Sequence, residues 1–248
     1  MKKKIKALFQ YRQIPELMAQ GKLRGKKAFY KKLIALQISI YELDEHLESN
    51  WEIKKTDLNK YWKNIHKAML DCGIAKNKLA EYSKHILKYQ SHELNLRTGK
   101  LPTEGSIEYF YYYKSCDVRL MRQIIYDLSD NLKSKYTLPD WRYFDLITEV
   151  NDDVDDMFED LKSINGNYAL IARWEFGKKE SIRLLSEFMD TIETKNKERY
   201  TKRKNQSNYK AIYKMTQKQI KDTRKLLIKN MKKLKKKQIT KAKLFRYL

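Results

Sequence analysis

The sequence predicts an all-α protein. Its 248 residues include only seven Gly and three Pro, too few for the many turns that an all-β fold needs. Apolar residues recur with the helical period through most of the chain. Gly, Pro and Asn residues separate the periodic segments, at places where helices should begin or end. Together these observations predict helices packed around one core.

The chain begins with a short predicted helix and continues through six longer amphipathic segments. We place these segments near residues 27–49, 56–71, 74–97, 106–134, 140–164 and 168–194. Beyond Asn196 the sequence becomes rich in Lys, and the spacing of its apolar residues predicts a single amphipathic helix. We therefore predict a compact helical body over residues 1–194, and a basic, helical tail over residues 195–248 that is an appendage rather than a second domain.

The positive charge is concentrated in this tail. The formal net charge is +23, and residues 195–248 contain 21 Lys and Arg against Glu198 and Asp222, a net charge of +19 that leaves +4 for residues 1–194. A segment of this kind can bind the phosphates of RNA with a strong dependence on salt. As an amphipathic helix it can instead lie on an anionic membrane surface. We keep both interpretations of the tail open.

The remaining composition predicts a cytoplasmic protein, either soluble or peripheral to the membrane. Cys72 and Cys116 are the only cysteines, too few for a disulfide framework. The first residues lack the sustained apolar stretch of an export signal. The longest apolar run, from Leu33 to Leu43, is well short of the ~20 residues that cross a bilayer.

The densest group of carboxylates lies within residues 151–160, inside a strongly helical segment. At 100° per residue, Asn151 falls within the apolar stripe of that helix, whereas Asp153 and Asp160 should point away from it. The flank of the stripe carries Asp152, Asp155 and Glu159. A solvated acidic face is the alternative interpretation.

A second acidic group and one lysine stand out on other helices. Asp44 and Glu48 lie beside an apolar stripe, four residues apart, and Glu45 points outward. Lys114 occupies a position where the stripe of its own helix should carry an apolar residue. It can extend to solvent, pair with an aspartate such as Asp117, or bind an anion.

These residues resemble the motifs of the class I isoprenoid enzymes, which include prenyl diphosphate synthases, squalene and phytoene synthases and terpene cyclases. The segment Asp44-Glu45-His46-Leu47-Glu48 is similar to their first DDxxD motif, and Asp152-Asp153-Val154-Asp155-Asp156 to their second. Lys114-Ser115 looks like the Lys-Thr pair that binds diphosphate. In another register, Asn151, Asp155 and Glu159 resemble the metal-binding triad of terpene cyclases.

The resemblance implies a fold, a reaction and a set of site residues. The fold is an antiparallel helical bundle of the class I terpenoid synthase type. The reaction is Mg2+-dependent ionisation of an allylic prenyl diphosphate, with prenyl transfer favoured over cyclisation and three Mg2+ ions bound with substrate. The catalytic residues would be Asp44, Asp152 and Lys114.

The same resemblance implies ligands for the metal and for the diphosphate, and a homodimer is considered as the assembly. The metal ligands would be Asp44, Glu45, Glu48, Asn151, Asp152, Asp155, Asp156 and Glu159. The diphosphate ligands would be Lys114, Ser115, Lys54 and Lys55. The alternative is a non-enzymatic helical protein that binds RNA or an anionic membrane surface through its basic tail.

Overall fold

The computed structural model describes residues 1–133, 135, 137–203 and 209–248. These residues form fourteen α-helices and five short 3₁₀ helices, and no strand occurs among them. The prediction of an all-α protein is confirmed. The α-helices are α1 (Lys2–Tyr11), α2 (Ile14–Gln20), α3 (Lys26–Ser49), α4 (Lys55–Asp71), α5 (Leu79–Asn95), α6 (Ile107–Lys114), α7 (Cys116–Asp127), α8 (Asp130–Lys133), α9 (Arg142–Asp155), α10 (Met157–Asp160), α11 (Tyr168–Glu175), α12 (Gly177–Lys202), α13 (Tyr209–Lys233) and α14 (Lys236–Thr240).

The two segments predicted near 27–49 and 56–71 agree with α3 and α4 to within a residue. Three other predicted segments are each divided into shorter helices, and the third of them, near 140–164, is described below. The segment near 106–134 is divided into α6, α7 and α8, and the segment near 168–194 is divided at Gly177. Gly177 has a φ of +80°, a backbone conformation that favours glycine because other residues carry a Cβ that crowds it. Apolar periodicity continues across such breaks, so it cannot reveal them.

The helix predicted near 140–164 ends at Asp155 because side chains from elsewhere satisfy its last carbonyls. The Asn167 side-chain amide donates to the carbonyl of Asp153 at 2.7 Å, and the Asn230 amide donates to the carbonyl of Val154 at 2.8 Å. These carbonyls would otherwise be unpaired at a helix C-terminus. The chain then turns into the short helix α10.

The chain divides into two compact units. Unit 1 comprises residues 1–90 and 116–138, and unit 2 comprises residues 91–115 and 139–248. In unit 1, α3 packs along α4, and it also contacts α1, α2 and α7. The core side chains of α3 are Leu33, Leu36, Ile40, Leu43 and Leu47, each at most 5% exposed.

In unit 2, α9 is the central helix. It packs most extensively against α13, and it also contacts α6, α11 and α12. From Phe144 to Val150 every residue of α9 is buried. A helix that is buried on several sides must carry its few polar residues inside the unit, where each needs a partner.

The basic segment belongs to the core of unit 2. Ile220 is 2% exposed, and Leu227 and Met231 are fully buried. The structure therefore divides the chain differently from our prediction of a body over 1–194 and an appended tail over 195–248. The reason is that the apolar residues of α13 pack against those of α9 and α12 and form one hydrophobic core with them.

No helix within the described ranges combines the length and the apolar character needed to cross a bilayer.

Candidate functional site

The first acidic group lies on α3 in unit 1, where its side chains adopt the predicted positions. Leu43 and Leu47 are buried, Asp44 and Glu48 are half-buried beside them, and Glu45 is exposed. Asp44 accepts a hydrogen bond of 2.7 Å from the Tyr89 hydroxyl.

The second acidic group lies at the C-terminal end of α9 in unit 2, and its arrangement differs from the prediction. Asp153 is only 1% exposed, although we expected it to point away from the core. Asp155 and Glu159, which we expected beside the core, are exposed. The physical reason is that α9 is buried on more than one side and ends at Asp155, so Glu159 no longer shares its register.

Asn151 does face the interior, as predicted. Its side-chain oxygen accepts a hydrogen bond of 2.9 Å from the Thr223 hydroxyl on α13. Asp152 is half-buried and Asp156 is exposed. The backbone N–H of Asp156 donates to the carbonyl of Asp152 at 2.9 Å, so the turn between these two aspartates is helical.

Asp153 is the centre of a buried polar cluster. One carboxylate oxygen accepts from the Lys114 ammonium in an ion pair. The other accepts from the Tyr111 hydroxyl at 2.9 Å and from the backbone N–H of Tyr168 at 2.8 Å. A buried carboxylate is tolerated only when it is paired and hydrogen-bonded, and this one is both.

A second carboxylate, Asp160, joins this cluster through Asn167. The Asn167 amide donates to Asp160 at 2.7 Å, and its side-chain oxygen accepts from the backbone N–H of Leu170 at 3.0 Å. Asn167 is thus the N-cap of α11, a position that asparagine favours because its side chain satisfies a free backbone donor. We shall call Tyr111, Lys114, Asp153, Asp160 and Asn167 the Asp153 cluster.

Burial and neighbouring charges shift the pKa values of Lys114, Tyr111 and Asp160. Burial alone would lower the pKa of Lys114, but the charges of Asp153, Asp160 and Glu149, together with the hydrogen bond to Asp153, outweigh it and raise that pKa well above its usual value. Burial, and then the charge of Asp153, raise the pKa of Tyr111. Burial, assisted by the charge of Asp153, raises the pKa of Asp160 against the opposing effects of Lys114, Asn167 and Asn165. Lys114 is therefore protonated and Tyr111 neutral at physiological pH.

The pairing of Lys114 answers a question that the sequence left open. Its carboxylate partner is Asp153 rather than Asp117, which instead accepts from the Gln37 amide at 2.6 Å. Lys114 is the predicted diphosphate ligand, and an incoming diphosphate would have to compete with Asp153 for its charge. Of the other residues predicted to bind diphosphate, Ser115 is buried and donates to the carbonyl of Tyr112 at 3.0 Å, and Lys54 and Lys55 are exposed in unit 1.

Within the described parts of the chain, the predicted metal ligands divide between unit 1, with Asp44, Glu45 and Glu48, and unit 2, with Asn151, Asp152, Asp155, Asp156 and Glu159. No group of three or more His, Cys, Asp or Glu side chains there could hold a metal ion. Mg2+ requires several oxygen ligands in near-octahedral geometry, whereas the side-chain oxygen of Asn151 already accepts from Thr223, and Asp155, Asp156 and Glu159 are exposed. The arrangement of the second acidic group therefore does not fit the implied Mg2+ site.

The aromatic run from Tyr109 to Tyr113 is largely part of the core. Tyr111 is fully buried, and its ring stacks on Phe188 with centroids 5.7 Å apart. Tyr109 is 46% exposed and contacts Tyr113 edge to face at 4.7 Å. Phe110 and Tyr111 thus belong to the hydrophobic core of unit 2.

Helix α13 has two opposite faces. Its exposed lysines are Lys210, Lys214, Lys218, Lys221, Lys225, Lys229, Lys232 and Lys233. At 100° per residue all eight fall within an arc of about 140°. We call this surface the lysine face. The opposite arc carries the residues that α13 buries, including Ile220, Leu227 and Met231.

The lysine face carries little compensating negative charge of its own. Asp222 is the single acidic residue in the sequence of α13, and it pairs with Lys218 at 3.2 Å. Over the length of α13 this leaves a row of positive charge about 35 Å long, at 1.5 Å per residue.

The sequence analysis did not identify the polar residues of other segments that form hydrogen bonds with α9. Asn167 is one of the Asn residues between periodic segments that we interpreted only as helix boundaries, although it connects Asp153 to Asp160. Thr223 and Asn230 stand among the buried positions of α13. A polar residue at an apolar position is the signal that could have identified them, because a buried polar group needs a buried partner.

No protein-family model, curated protein or solved structure matches this chain.

Proposed function

We propose that the protein binds nucleic acid through phosphate contacts on the lysine face. The observation that carries this proposal is the confinement of eight exposed lysines to one side of α13. A row of ammonium groups on a folded helix can displace the counterions of a phosphate backbone, and the released ions drive binding.

The burial of the other face of α13 favours nucleic acid over a membrane surface. An amphipathic helix binds a bilayer by inserting its apolar side among the lipids. In this protein the apolar side of α13 packs against α9 and α12, so it is occupied by protein. The lysines are left to act by charge alone, which is the mode of phosphate-backbone recognition.

The test replaces Lys221, Lys225, Lys229 and Lys232 with Gln. We expect affinity for a DNA duplex to fall at least about tenfold, and the slope of log affinity against log salt to become shallower by about 3.6, because each of the four lost phosphate contacts removes about 0.9. Fluorescence anisotropy over a salt series measures both quantities.

The matched control is the same change of charge in unit 1. Lys60, Lys63, Lys67 and Lys84 are also exposed, and the variant with all four replaced by Gln should retain the wild-type slope. Equal losses in the two variants would contradict the proposal, since they would indicate attraction by net charge rather than by this surface.

As a second candidate function we propose the ionisation of an allylic prenyl diphosphate with Mg2+, in which prenyl transfer is favoured over cyclisation. Its support is the order of the three motif resemblances along the sequence and the helical turn that puts Asp152 and Asp156 on the same side of α9. The pairing of Lys114 with Asp153 argues against it, as does the poor fit of the second acidic group to a metal.

The second candidate predicts diphosphate release from farnesyl diphosphate in the presence of Mg2+. Asp44→Asn and Asp152→Asn should each abolish that release, whereas Asp190→Asn, at an exposed aspartate that pairs with Arg224, should not. Product analysis with and without isopentenyl diphosphate separates prenyl transfer from cyclisation. Wild-type protein that releases no diphosphate from allylic substrates of any length would rule the enzyme out.

A further inference from the structure

A stack of tyrosine rings lies where the basic part of α12 meets the start of α13. The ring of Tyr200 lies nearly parallel to that of Tyr213, with centroids 4.3 Å apart and planes inclined by 13°. On α13, Tyr209 also stacks with Tyr200, at 6.5 Å and 27°. Tyr200 therefore joins two rings that stand one turn apart on the neighbouring helix.

The three rings differ in burial. Tyr209 is 1% exposed, and its hydroxyl donates to the buried Asn196 side chain at 3.0 Å. Tyr200 and Tyr213 are only half-buried. Tyr209 thus belongs to the core of unit 2, whereas the closely stacked Tyr200–Tyr213 pair remains partly open to solvent.

Exposed lysines flank this pair on both helices. Lys197 precedes Tyr200 by three residues and Lys210 precedes Tyr213 by three, so each lysine lies about 60° from its tyrosine around the helix. Lys210 is also the first residue of the lysine face. Aromatic surface is therefore adjacent to the cationic surface that would hold phosphates.

We propose that the Tyr200–Tyr213 pair is a stacking platform for nucleobases, and that the ligand of the lysine face is single-stranded nucleic acid. This inference rests on the proposed function, whose partner it specifies. In a duplex each base is stacked within the helix and paired, so its face is not available to a protein ring. In a single strand the bases can turn outward and stack on aromatic side chains while lysines contact the backbone.

Stacking on a tyrosine ring contacts the face of a base and not its hydrogen-bonding edge, so the platform should tolerate different sequences. Every base has a π face, and stacking on tyrosine depends little on which base is present. We expect affinity to depend on the presence of bases far more than on their order.

The experiment compares three probes on the full-length protein: a single-stranded oligodeoxyadenylate, an abasic strand with the same number of phosphates, and a duplex of the same length. The wild type should bind the oligodeoxyadenylate about tenfold more tightly than the abasic strand, because one stacked base contributes about that factor. This comparison needs no variant and so does not depend on the folding of one.

Variants then test whether the preference for the oligodeoxyadenylate over the abasic strand depends on the Tyr200–Tyr213 pair. Tyr213→Leu should lose the tenfold preference while its affinity for the abasic strand stays at the wild-type value, and Tyr213→Phe should keep the preference because it keeps the ring. Tyr109→Leu, at an exposed tyrosine on α6, is the control and should behave as the wild type.

The outcomes separate the inference from the proposed function. Equal wild-type affinity for the abasic strand and the oligodeoxyadenylate, or tighter binding of the duplex, overturns the stacking platform and leaves phosphate binding intact. An unchanged preference in Tyr213→Leu also overturns it. Failure of the wild type to bind any of the three probes overturns the proposed function and the inference with it.

Discussion

Replacing Asp153 with Asn is expected to lower the free energy of unfolding by about 3 kcal/mol, the lower end of the cost of breaking a buried ion pair. The lower end of this range applies because the Lys114 side chain remains 21% exposed. The substitution leaves the Lys114 ammonium without its counter-charge. It also places an amide where the Tyr111 hydroxyl and the backbone N–H of Tyr168 both donate. Urea unfolding followed by circular dichroism at about 222 nm, the usual wavelength for helices, measures this change in the free energy of unfolding.

Asp155→Asn is the matched control for this prediction. It removes the same charge two residues further along the chain, at an exposed position, and should change stability by no more than about 0.5 kcal/mol. A double variant, Asp153→Asn with Lys114→Met, should recover part of the loss because it removes the unpaired charge. Equal stability of the two single variants would show that Asp153 is not the centre of a buried cluster.

Leu227→Ala is expected to destabilise the protein by about 2–5 kcal/mol, the usual range when a buried leucine is truncated. Leu227 is fully buried on the face of α13 that joins the core of unit 2. Ala would remove apolar contacts and leave a cavity beside α9. The midpoint of thermal or urea unfolding reports the loss.

Ile228→Ala provides the control from the adjacent residue. Ile228 is 46% exposed, so its truncation should change stability by less than about 0.5 kcal/mol. If 195–248 were an appendage, the two variants would instead have similar stabilities. Because α13 supplies part of the core, deletion of the basic segment would remove stability together with charge, and point substitutions are the appropriate tests of binding.

The sequence was a good guide to the first acidic group and a poor one to the second. On α3 one side packs against its neighbours, so a single apolar stripe correctly places Leu43, Asp44, Glu45 and Leu47. On α9 the buried arc is wider than a stripe, and it includes Asp153. Periodicity assigns each residue an angle around the helix, but it does not tell how many neighbours surround that helix.

The sequence by itself determined that the chain is helical, where α3 and α4 lie, and that the positive charge is concentrated after residue 195. These features follow from composition and local periodicity, which involve residues close together in the chain. Only the tertiary structure decided that α13 completes the core of unit 2, that Lys114 pairs with Asp153, and that Asn167 and Asn230 end α9. Each of these depends on contacts between residues far apart in sequence. A buried polar group is satisfied by whichever partner the packing brings to it, and that choice cannot be read from spacing along the chain.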